Sequence, residues 1–123
     1  MEYIDGKTLT KIYGEGQLTA QLLNETGRIV KQLHACSIIH NDLTTSNFIY
    51  ASGAQKLYVI DFGLASIGVP SNENKAVDLY VLEKSIVALT GDTKLFSDVL
   101  AGYDPDQALV ARLEEVRERG RKK

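Results

Sequence analysis

The feature that most constrains this chain is a pair of polar motifs separated by two short apolar runs. His40-Asn41-Asp42 is followed five residues later by Asn47, and Asp61-Phe62-Gly63 comes after the second run. The runs, Phe48-Ile49-Tyr50 and Leu57-Tyr58-Val59-Ile60, are rich in aromatic and β-branched residues, which predicts two strands joined by a turn. Such a hairpin places Asn47 just before one strand and Asp61 just after the other, so both side chains meet at one end.

These residue types suit phosphoryl transfer, a reaction that needs positioning and charge neutralisation. Their order and spacing are those of the catalytic loop and metal-binding turn of protein-kinase-like phosphotransferases. Asp42 is the candidate catalytic carboxylate, and Asn47 and Asp61 offer the hard oxygen ligands that Mg²⁺ prefers. We interpret His40 as a buried brace between the loop and the Asp-Phe-Gly turn. The alternative is an ordinary polar turn, since Asp, Thr, Ser and Asn all favour turns and caps.

Composition indicates one small globular domain: 123 residues, 44% apolar and 24% charged, with a net charge of −2. The single cysteine, Cys36, cannot form an internal disulfide and fits a reducing compartment, and we expect it to be a buried filler at the end of a helix. No apolar run approaches the length of a membrane span and no secretory leader is visible, so we expect no membrane partner. Met1 begins inside an apolar, strand-like segment, which suggests a piece of a longer protein.

Hydrophobic periodicity predicts a mainly α fold with a short β-hairpin, in the α+β class. We expect helices over 7–13, 19–36, 75–89, 95–103 and 105–117. Gly27 costs its helix about 1 kcal/mol relative to alanine, which close packing would explain. The helix over 75–89 is apolar on most sides, so we expect it to be buried at the centre with a partner for Asp78. Asp104 before Pro105 predicts the cap of the last helix.

The end of the chain is basic, with five cations and one acidic residue over 117–123. One interpretation is a solvated helix end whose cations complement the helix dipole. The other is a contact with an anion or RNA.

The chain resembles the carboxyl-terminal lobe of the small atypical kinase subunit of the KEOPS complex. The resemblance spans nearly the whole chain and is carried by Met1–Ile4, Leu33-His34, His40–Phe48 with Thr-Thr-Ser before Asn47, Tyr58–Leu64, Lys75–Lys84 and Glu114–Lys123. It implies a protein-kinase-like C-terminal lobe over 1–123 that lacks the N-terminal lobe. Within it, 1–6 would be hinge-like, 40–63 would hold the catalytic loop, hairpin and metal-binding turn, and 117–123 would be a basic tail.

The resemblance implies an ATP-dependent serine/threonine kinase or ATPase that uses ATP and Mg²⁺ in the complex that makes threonylcarbamoyladenosine in tRNA. Partners would be the threonylcarbamoyl-transferase subunit, a small regulatory subunit and tRNA. The location would be cytoplasmic, and also nuclear in a eukaryote. By resemblance, the site residues are the catalytic Asp42, the magnesium ligands Asn47 and Asp61, the supporting His40 and Asp78, the adenine contacts Glu2, Ile4, Ile49 and Ile60, and the tRNA contacts Arg119, Arg121, Lys122 and Lys123.

Several departures from the kinase pattern shape these expectations. Asn41 stands where the family usually has glycine, and Thr44 stands where ordinary kinases have lysine. Only eleven residues, Leu64–Asn74, separate Gly63 from the next predicted helix, which favours water or a tethered partner as the phosphoryl acceptor.

The 123 residues contain no glycine-rich phosphate loop, strand lysine or paired helix glutamate. We therefore expect this chain alone to bind Mg-ATP weakly and to turn over little. The alternatives are a non-catalytic lobe that docks a partner and tRNA, and a small-molecule kinase of the aminoglycoside-phosphotransferase type, whose loop also reads His-x-Asp with a later Asn.

Overall fold

The computed structural model describes residues 6–121, which form five helices and five short strands. In chain order these are β1 (Lys7–Thr8), α1 (Leu9–Gly14), α2 (Ala20–Ala35), β2 (Ile38–Ile39), a 3₁₀ helix (Thr45–Asn47), β3 (Phe48–Ala51), β4 (Lys56–Val59), β5 (Ser66–Ile67), α3 (Asn72–Thr90), α4 (Phe96–Tyr103) and α5 (Gln107–Arg121). The predicted α+β class is confirmed, with the helices dominating. None of these helices combines the length and apolar character needed to cross a bilayer.

The predicted hairpin is confirmed and gains a third strand. β3 pairs antiparallel with β4, with Phe48 opposite Val59, and its other edge pairs with β1. The predicted helix over 7–13 is therefore wrong at its start. Thr8 is extended, and its hydroxyl accepts a hydrogen bond from the Lys11 amide, so Thr8 ends the strand and caps α1.

A second, two-stranded sheet lies next to the predicted catalytic loop. β2 pairs antiparallel with β5, with Ile38 opposite Ile67 and Ile39 opposite Ser66. The residues just before His40 are thereby held beside the segment that follows Gly63. The pairing therefore brings together the two ends of the segment that contains both the loop and the Asp-Phe-Gly turn.

Helices α2 and α4 approach each other closely at two glycines. A β-carbon on Gly27 would lie 1.9 Å from the Val99 carbonyl oxygen, and one on Gly102 would lie 1.9 Å from the Asn24 carbonyl oxygen. Both contacts involve backbone atoms, which cannot move aside cheaply. The helix-weakening glycine predicted from the sequence thus permits this close packing.

Gly27→Ala is expected to lower the free energy of unfolding by about 2 kcal/mol or more, because overpacking outweighs the better helix propensity of alanine. Urea denaturation measures this. Gly14→Ala is the matched control, since a β-carbon at that helical glycine meets nothing within 4 Å. Equal stability of the two variants would contradict the packing role of Gly27.

Helix α3 buries only one face, so the expectation that it is buried at the centre of the protein is wrong. Ala76, Asp78, Leu79, Leu82 and Ile86 are buried, whereas Val77 is 38% exposed. The buried face packs against α5 and the catalytic loop. Asp78 therefore points into the protein directly behind the loop.

Two local predictions are wrong at helix ends. Cys36 is exposed rather than buried, because α2 ends there and the chain turns away through Ser37 with a positive φ of 64°. Asp104 does not cap α5: it takes a left-handed conformation that ends α4. The cap is Asp106, whose Oδ1 accepts a hydrogen bond of 2.8 Å from the Leu109 amide.

Candidate active site

The predicted catalytic loop is anchored by one buried carboxylate, Asp78 of α3, which is 1% exposed. Its Oδ2 accepts a hydrogen bond of 3.0 Å from the His40 amide, and its Oδ1 accepts one of 2.9 Å from the Asn41 amide. Charge-assisted bonds to two successive amides fix the backbone entering the loop. The geometry matches the position that the resemblance implies for this residue.

Two residues behind Asp78 extend the anchor. His34 Nε2 donates to Asp78 Oδ2 at 2.9 Å, and the Tyr103 hydroxyl donates to His34 Nδ1 at 2.6 Å. This donor order follows because a carboxylate only accepts. Burial first, and the nearby Asp78 charge second, raise the pKa of Tyr103, so its hydroxyl stays protonated as a donor. The network joins α2, α3 and α4 to the loop.

His40 braces the loop against the Asp-Phe-Gly turn. It is fully buried; its Nδ1 accepts from the Asp42 amide at 3.1 Å, and its Nε2 donates to the Ile60 carbonyl at 2.8 Å. One nitrogen accepts and the other donates, which defines a neutral imidazole. The Phe62 ring lies 5.1 Å from the His40 ring, centroid to centroid, and remains 44% exposed.

Asn41 occupies the turn position where a glycine is expected. Its φ is 70°, a conformation that asparagine tolerates better than most residues. Its side chain adds bonds that glycine could not make: Nδ2 donates to the Leu64 carbonyl at 2.9 Å and to Ser66 Oγ at 3.2 Å. The departure from glycine is thus accommodated, and it ties the loop to the following segment.

Asp42 and Asn47 lie together. Asn47 Nδ2 donates to the Asp42 carbonyl at 2.8 Å and reaches the Asp42 carboxylate Oδ2 at 3.4 Å. The side-chain nitrogen of Asn47 therefore makes its hydrogen bonds within the loop. The side-chain oxygen of Asn47 makes no hydrogen bond to any residue within 6–121 and is free to act as a ligand.

Asp61 follows the second strand of the hairpin and lies across from Asn47, which precedes the first strand. The Ile60 amide donates to the Asn47 carbonyl at 2.8 Å, which places Asp61 one residue beyond that bond. Asp61 has a φ of 64°, so the left-handed residue of this turn is the aspartate. Gly63, although a glycine, does not take a positive φ, and a β-carbon there would meet Asp61 Oδ1 only at 3.5 Å.

The donor set fits Mg²⁺. Proteins commonly hold this ion with one or two carboxylates while phosphate oxygens and water complete the octahedron. Asn47 and Asp61 would supply one amide and one carboxylate oxygen. Within the described part of the chain there is no cluster of three or more His, Cys, Asp or Glu side chains suited to a metal.

The predicted adenine contacts are only partly covered by the described residues. Glu2 and Ile4 lie outside them. Both isoleucines are half-buried: Ile49 lies in β3 opposite Thr8 and Tyr58, and Ile60 follows β4 with its amide bonded to the Asn47 carbonyl.

The basic end continues α5 as far as Arg121, past the predicted end at 117. Arg117 makes a bidentate pair with Glu83 of α3 at 2.8 and 2.7 Å, which raises the pKa of its guanidinium. Arg119 pairs with Glu73, and Arg121 pairs with Glu118 and Glu114. The arginines of the tail therefore lie among carboxylates, while Lys122 and Lys123 fall outside the described residues.

Sequence reasoning missed the supporting residues behind the loop. Tyr103 gave no signal, because a tyrosine at a helix end is most simply a core residue. His34 gave no signal for its bond to Asp78, because the two residues are 44 positions apart in the chain. Thr45 and Ser85 touch each other beneath the loop. Thr45 lies in the Thr-Thr-Ser stretch quoted for the resemblance, whereas Ser85 comes directly after the quoted segment Lys75–Lys84 and gave no signal of its own.

Comparison with known proteins identifies the family. Residues 2–103 match the model described as "Lipopolysaccharide kinase (Kdo/WaaP) family". The chain belongs to this family. The match includes His40, Asp42, Asn47, Asp61 and Asp78, so the whole site described above lies inside the family region.

Curated relatives confirm the resemblance to the KEOPS kinase subunit. The chain is 42% identical to "EKC/KEOPS complex subunit BUD32" of Encephalitozoon cuniculi, over all of this chain and 61% of that protein. It is 40% identical to the subunit of the same name from Enterocytozoon bieneusi, over 64% of that protein. It is also 39% identical to a "Probable bifunctional tRNA threonylcarbamoyladenosine biosynthesis protein" of Methanococcus vannielii, covering 22% of it. The chain thus spans less than two thirds of the length of these relatives.

A solved structure agrees on the fold. The chain titled "WaaP in complex with acyl carrier protein" superimposes with a TM-score of 0.71 over 96% of this chain and 58% of that one, at 20% sequence identity. At this identity the similarity concerns the fold alone. The fold is that of a kinase-like C-terminal lobe, as predicted.

Proposed function

We propose that the chain is the catalytic lobe of an ATP-dependent serine/threonine kinase or ATPase that acts in the KEOPS complex during threonylcarbamoyladenosine modification of tRNA. The observation that carries the proposal is the arrangement of the loop: Asp42, Asn47 and the start of the Asp61 turn are held together by His40 and Asp78. The names of the relatives support the biological setting.

In this proposal each site residue has its own role in phosphoryl transfer. Asp42 orients the attacking hydroxyl or water and accepts its proton. Asn47 and Asp61 hold Mg²⁺, which neutralises charge on the phosphates of ATP when bound. His40 stays neutral and keeps the carbonyl of Ile60 in place, so that Asp61 faces the loop. Ile49 and Ile60 form part of the surface beneath adenine, with Glu2 and Ile4 as the hinge contacts.

Protein partners are proposed at the segment after the Asp-Phe-Gly turn. Leu64, Ile67 and Val69 are 66%, 87% and 94% exposed. Such a run of exposed apolar side chains suits a protein contact. We place the threonylcarbamoyl-transferase subunit there, and assign the small regulatory subunit to an amino-terminal lobe. The location follows from the complex: cytoplasmic, and also nuclear in a eukaryote.

The test is whether the chain supports tRNA modification once an amino-terminal lobe is supplied. The chain would be joined to the preceding part of the Encephalitozoon cuniculi relative and expressed in a strain that lacks its KEOPS kinase subunit. Recovery of threonylcarbamoyladenosine, measured by mass spectrometry of digested tRNA, is the expected result. No recovery from a well-expressed fusion that hydrolyses ATP would contradict a function in this complex and favour the small-molecule kinase alternative.

We propose that Arg119, Arg121, Lys122 and Lys123 contact tRNA. Substitutions of the two partners of one ion pair, Arg119 and Glu73, should then change the affinity for tRNA in opposite directions. Arg119→Gln should weaken tRNA binding and reduce the salt dependence of log K by about one unit. Glu73→Gln should strengthen binding, because it releases Arg119 from its carboxylate partner. Filter binding across a range of salt concentrations measures both. Arg28→Gln, which removes an exposed paired arginine on α2, is the control, and equal behaviour of all three variants would contradict the contact.

A further inference from the structure

We propose that Thr45 and Ser85 are positioning residues for the metal ligand Asn47, and that Thr10 links them to the helix that follows the hinge-like segment. The inference rests on the proposed function only in taking Asn47 as a ligand of Mg²⁺. Its basis is a cluster of hydroxyl groups that joins α1, the 3₁₀ helix and α3 beneath the loop.

The 3₁₀ helix that ends at Asn47 needs support from outside. It has three residues, and its N-cap, Thr44, makes no side-chain capping bond. Short 3₁₀ helices have poor hydrogen-bond geometry of their own. The support comes from α3, where Ser85 Oγ accepts a hydrogen bond of 2.9 Å from the Thr45 amide. A serine inside a helix commonly bonds back to its own helix, so this orientation toward the loop is a specific feature.

The hydroxyl protons can be placed in one consistent order. Ser85 Oγ donates to Thr45 Oγ1 at 3.3 Å, Thr45 Oγ1 lies 2.8 Å from Thr10 Oγ1, and Thr10 Oγ1 lies 3.2 Å from Ser46 Oγ. Each hydroxyl has one proton to donate. If Ser85 donates to Thr45, then Thr45 donates to Thr10 and Thr10 donates to Ser46. The protons of Ser85, Thr45 and Thr10 then all have acceptors, and Ser46 is exposed to water. Thr45, at 6% exposed, is the member shielded from water.

This cluster bears directly on Asn47. The Asn47 amide donates to the Thr44 carbonyl at 3.0 Å, and its side chain donates to Asp42. Displacing Thr45 would therefore shift the residue that carries the ligand oxygen. Mg²⁺ demands near-ideal octahedral geometry, so a small displacement is costly. These contacts give a physical reason for the Thr-Thr-Ser stretch before Asn47. Its buried member, Thr45, holds the loop that carries Asn47 by hydrogen bonds to α1 and α3.

The coupling has a second end at α1. Thr10 belongs to the helix that begins directly after β1, which itself follows the predicted hinge-like segment 1–6. A hydroxyl on this helix touches the loop that carries Asn47. We infer that the position of α1 and the geometry of the metal ligand are mechanically linked through Thr10 and Thr45.

The experiment titrates the ¹⁵N-labelled chain with Mn²⁺ alone and follows the loss of the Asn47 and Asp61 amide signals by paramagnetic broadening. Thr45→Val keeps the side-chain volume but removes the hydroxyl, and is expected to weaken Mn²⁺ binding about tenfold, as residues supporting a metal ligand typically do. Ser85→Ala should act in the same direction. Thr45→Ser should restore binding, because it keeps the hydroxyl.

Thr26→Val is the matched control. Thr26 is fully buried, and its hydroxyl bonds only its own helix, to the Leu22 carbonyl at 2.8 Å. It should bind Mn²⁺ as the wild type does. Hydrogen exchange at the Asn47 amide should quicken in Thr45→Val and not in Thr26→Val.

The outcomes separate two failures. If wild-type Asn47 and Asp61 signals do not respond to Mn²⁺, the metal site fails and the inference falls with it. If the wild type responds and Thr45→Val responds equally at the same concentrations, only the positioning role is overturned. Should Thr45→Val lose its dispersed spectrum, Ser85→Ala decides the question by the same criterion.

Discussion

Asp61→Asn is expected to reduce ATP hydrolysis by about 100- to 1000-fold in the fusion with an amino-terminal lobe, a loss typical of removing one major charge-stabilising group. Asparagine keeps the size of the side chain and one oxygen but lacks the negative charge that binds Mg²⁺. It also tolerates the left-handed backbone that Asp61 adopts at φ 64°. The substitution therefore removes charge without refolding the turn, which Asp61→Ala would not guarantee.

Asp104→Asn is the matched control for that measurement. Asp104 is also a left-handed aspartate, with φ 55°, but it ends α4 far along the chain from the loop. Hydrolysis should be unchanged there. The decisive comparison is with tRNA modification in cells. If Asp61→Asn loses hydrolysis but restores threonylcarbamoyladenosine fully, the lobe acts by docking and the catalytic proposal fails. If hydrolysis survives, Asp61 is not the metal ligand.

Asp78→Ala is expected to lower the free energy of unfolding by about 3 to 5 kcal/mol, the usual cost of removing one partner from a buried charged network. The side chain accepts hydrogen bonds from the amides of His40 and Asn41 and from His34. Without it, these buried donors have no acceptor, and each unmet donor is costly. The free energy of unfolding of a native protein is only about 5 to 15 kcal/mol, so this variant should be marginally stable.

Urea denaturation of Asp78→Asn gives the sharper test. Asparagine preserves the shape but replaces one acceptor oxygen with a donor group, so its loss of stability should be smaller than that of alanine and still clear. Asp106→Asn is the control: this carboxylate also accepts a bond from a backbone amide, but at an exposed helix N-cap where asparagine serves equally well. Equal stability of the two asparagine variants would refute the anchoring role of Asp78.

The contacts of Asp78 illustrate why candidate site residues could be proposed from the sequence, whereas most of the contacts that support them could not. His40 and Asp42 lie in the loop that leads into the hairpin, and Asn47 and Asp61 lie at the two ends of that hairpin. Their spacing along the chain therefore already encodes their proximity. The partners of Asp78 are 37 to 44 residues away. No local pattern specifies a contact over that separation. The resemblance supplied the position of Asp78, and the packing of α2, α3 and α4 supplies the rest.

Long-range pairing likewise changes the picture of the basic end. Counted along the chain, residues 117–123 form a strongly cationic tail. In the folded chain, Arg117 and Arg119 reach Glu83 and Glu73 on α3, 34 and 46 residues away. A count of charges along the sequence includes only residues that are close in the chain. The electrostatic potential at the protein surface depends on residues that are close in space. Any tRNA contact by these arginines must therefore compete with carboxylates already in place.

The amino-acid sequence by itself determined the hairpin, the helices and the order of the polar motifs, because strand composition, helical periodicity and loop spacing depend on residues close together in the chain. Tertiary structure alone decided which helix faces are buried, where Gly27 and Gly102 let backbones approach, and which residue of the turn is left-handed. Those choices depend on steric fit and hydrogen bonding between distant segments. Cys36 illustrates the division: its apolar surroundings in sequence predict burial, but the end of α2 turns it to the surface.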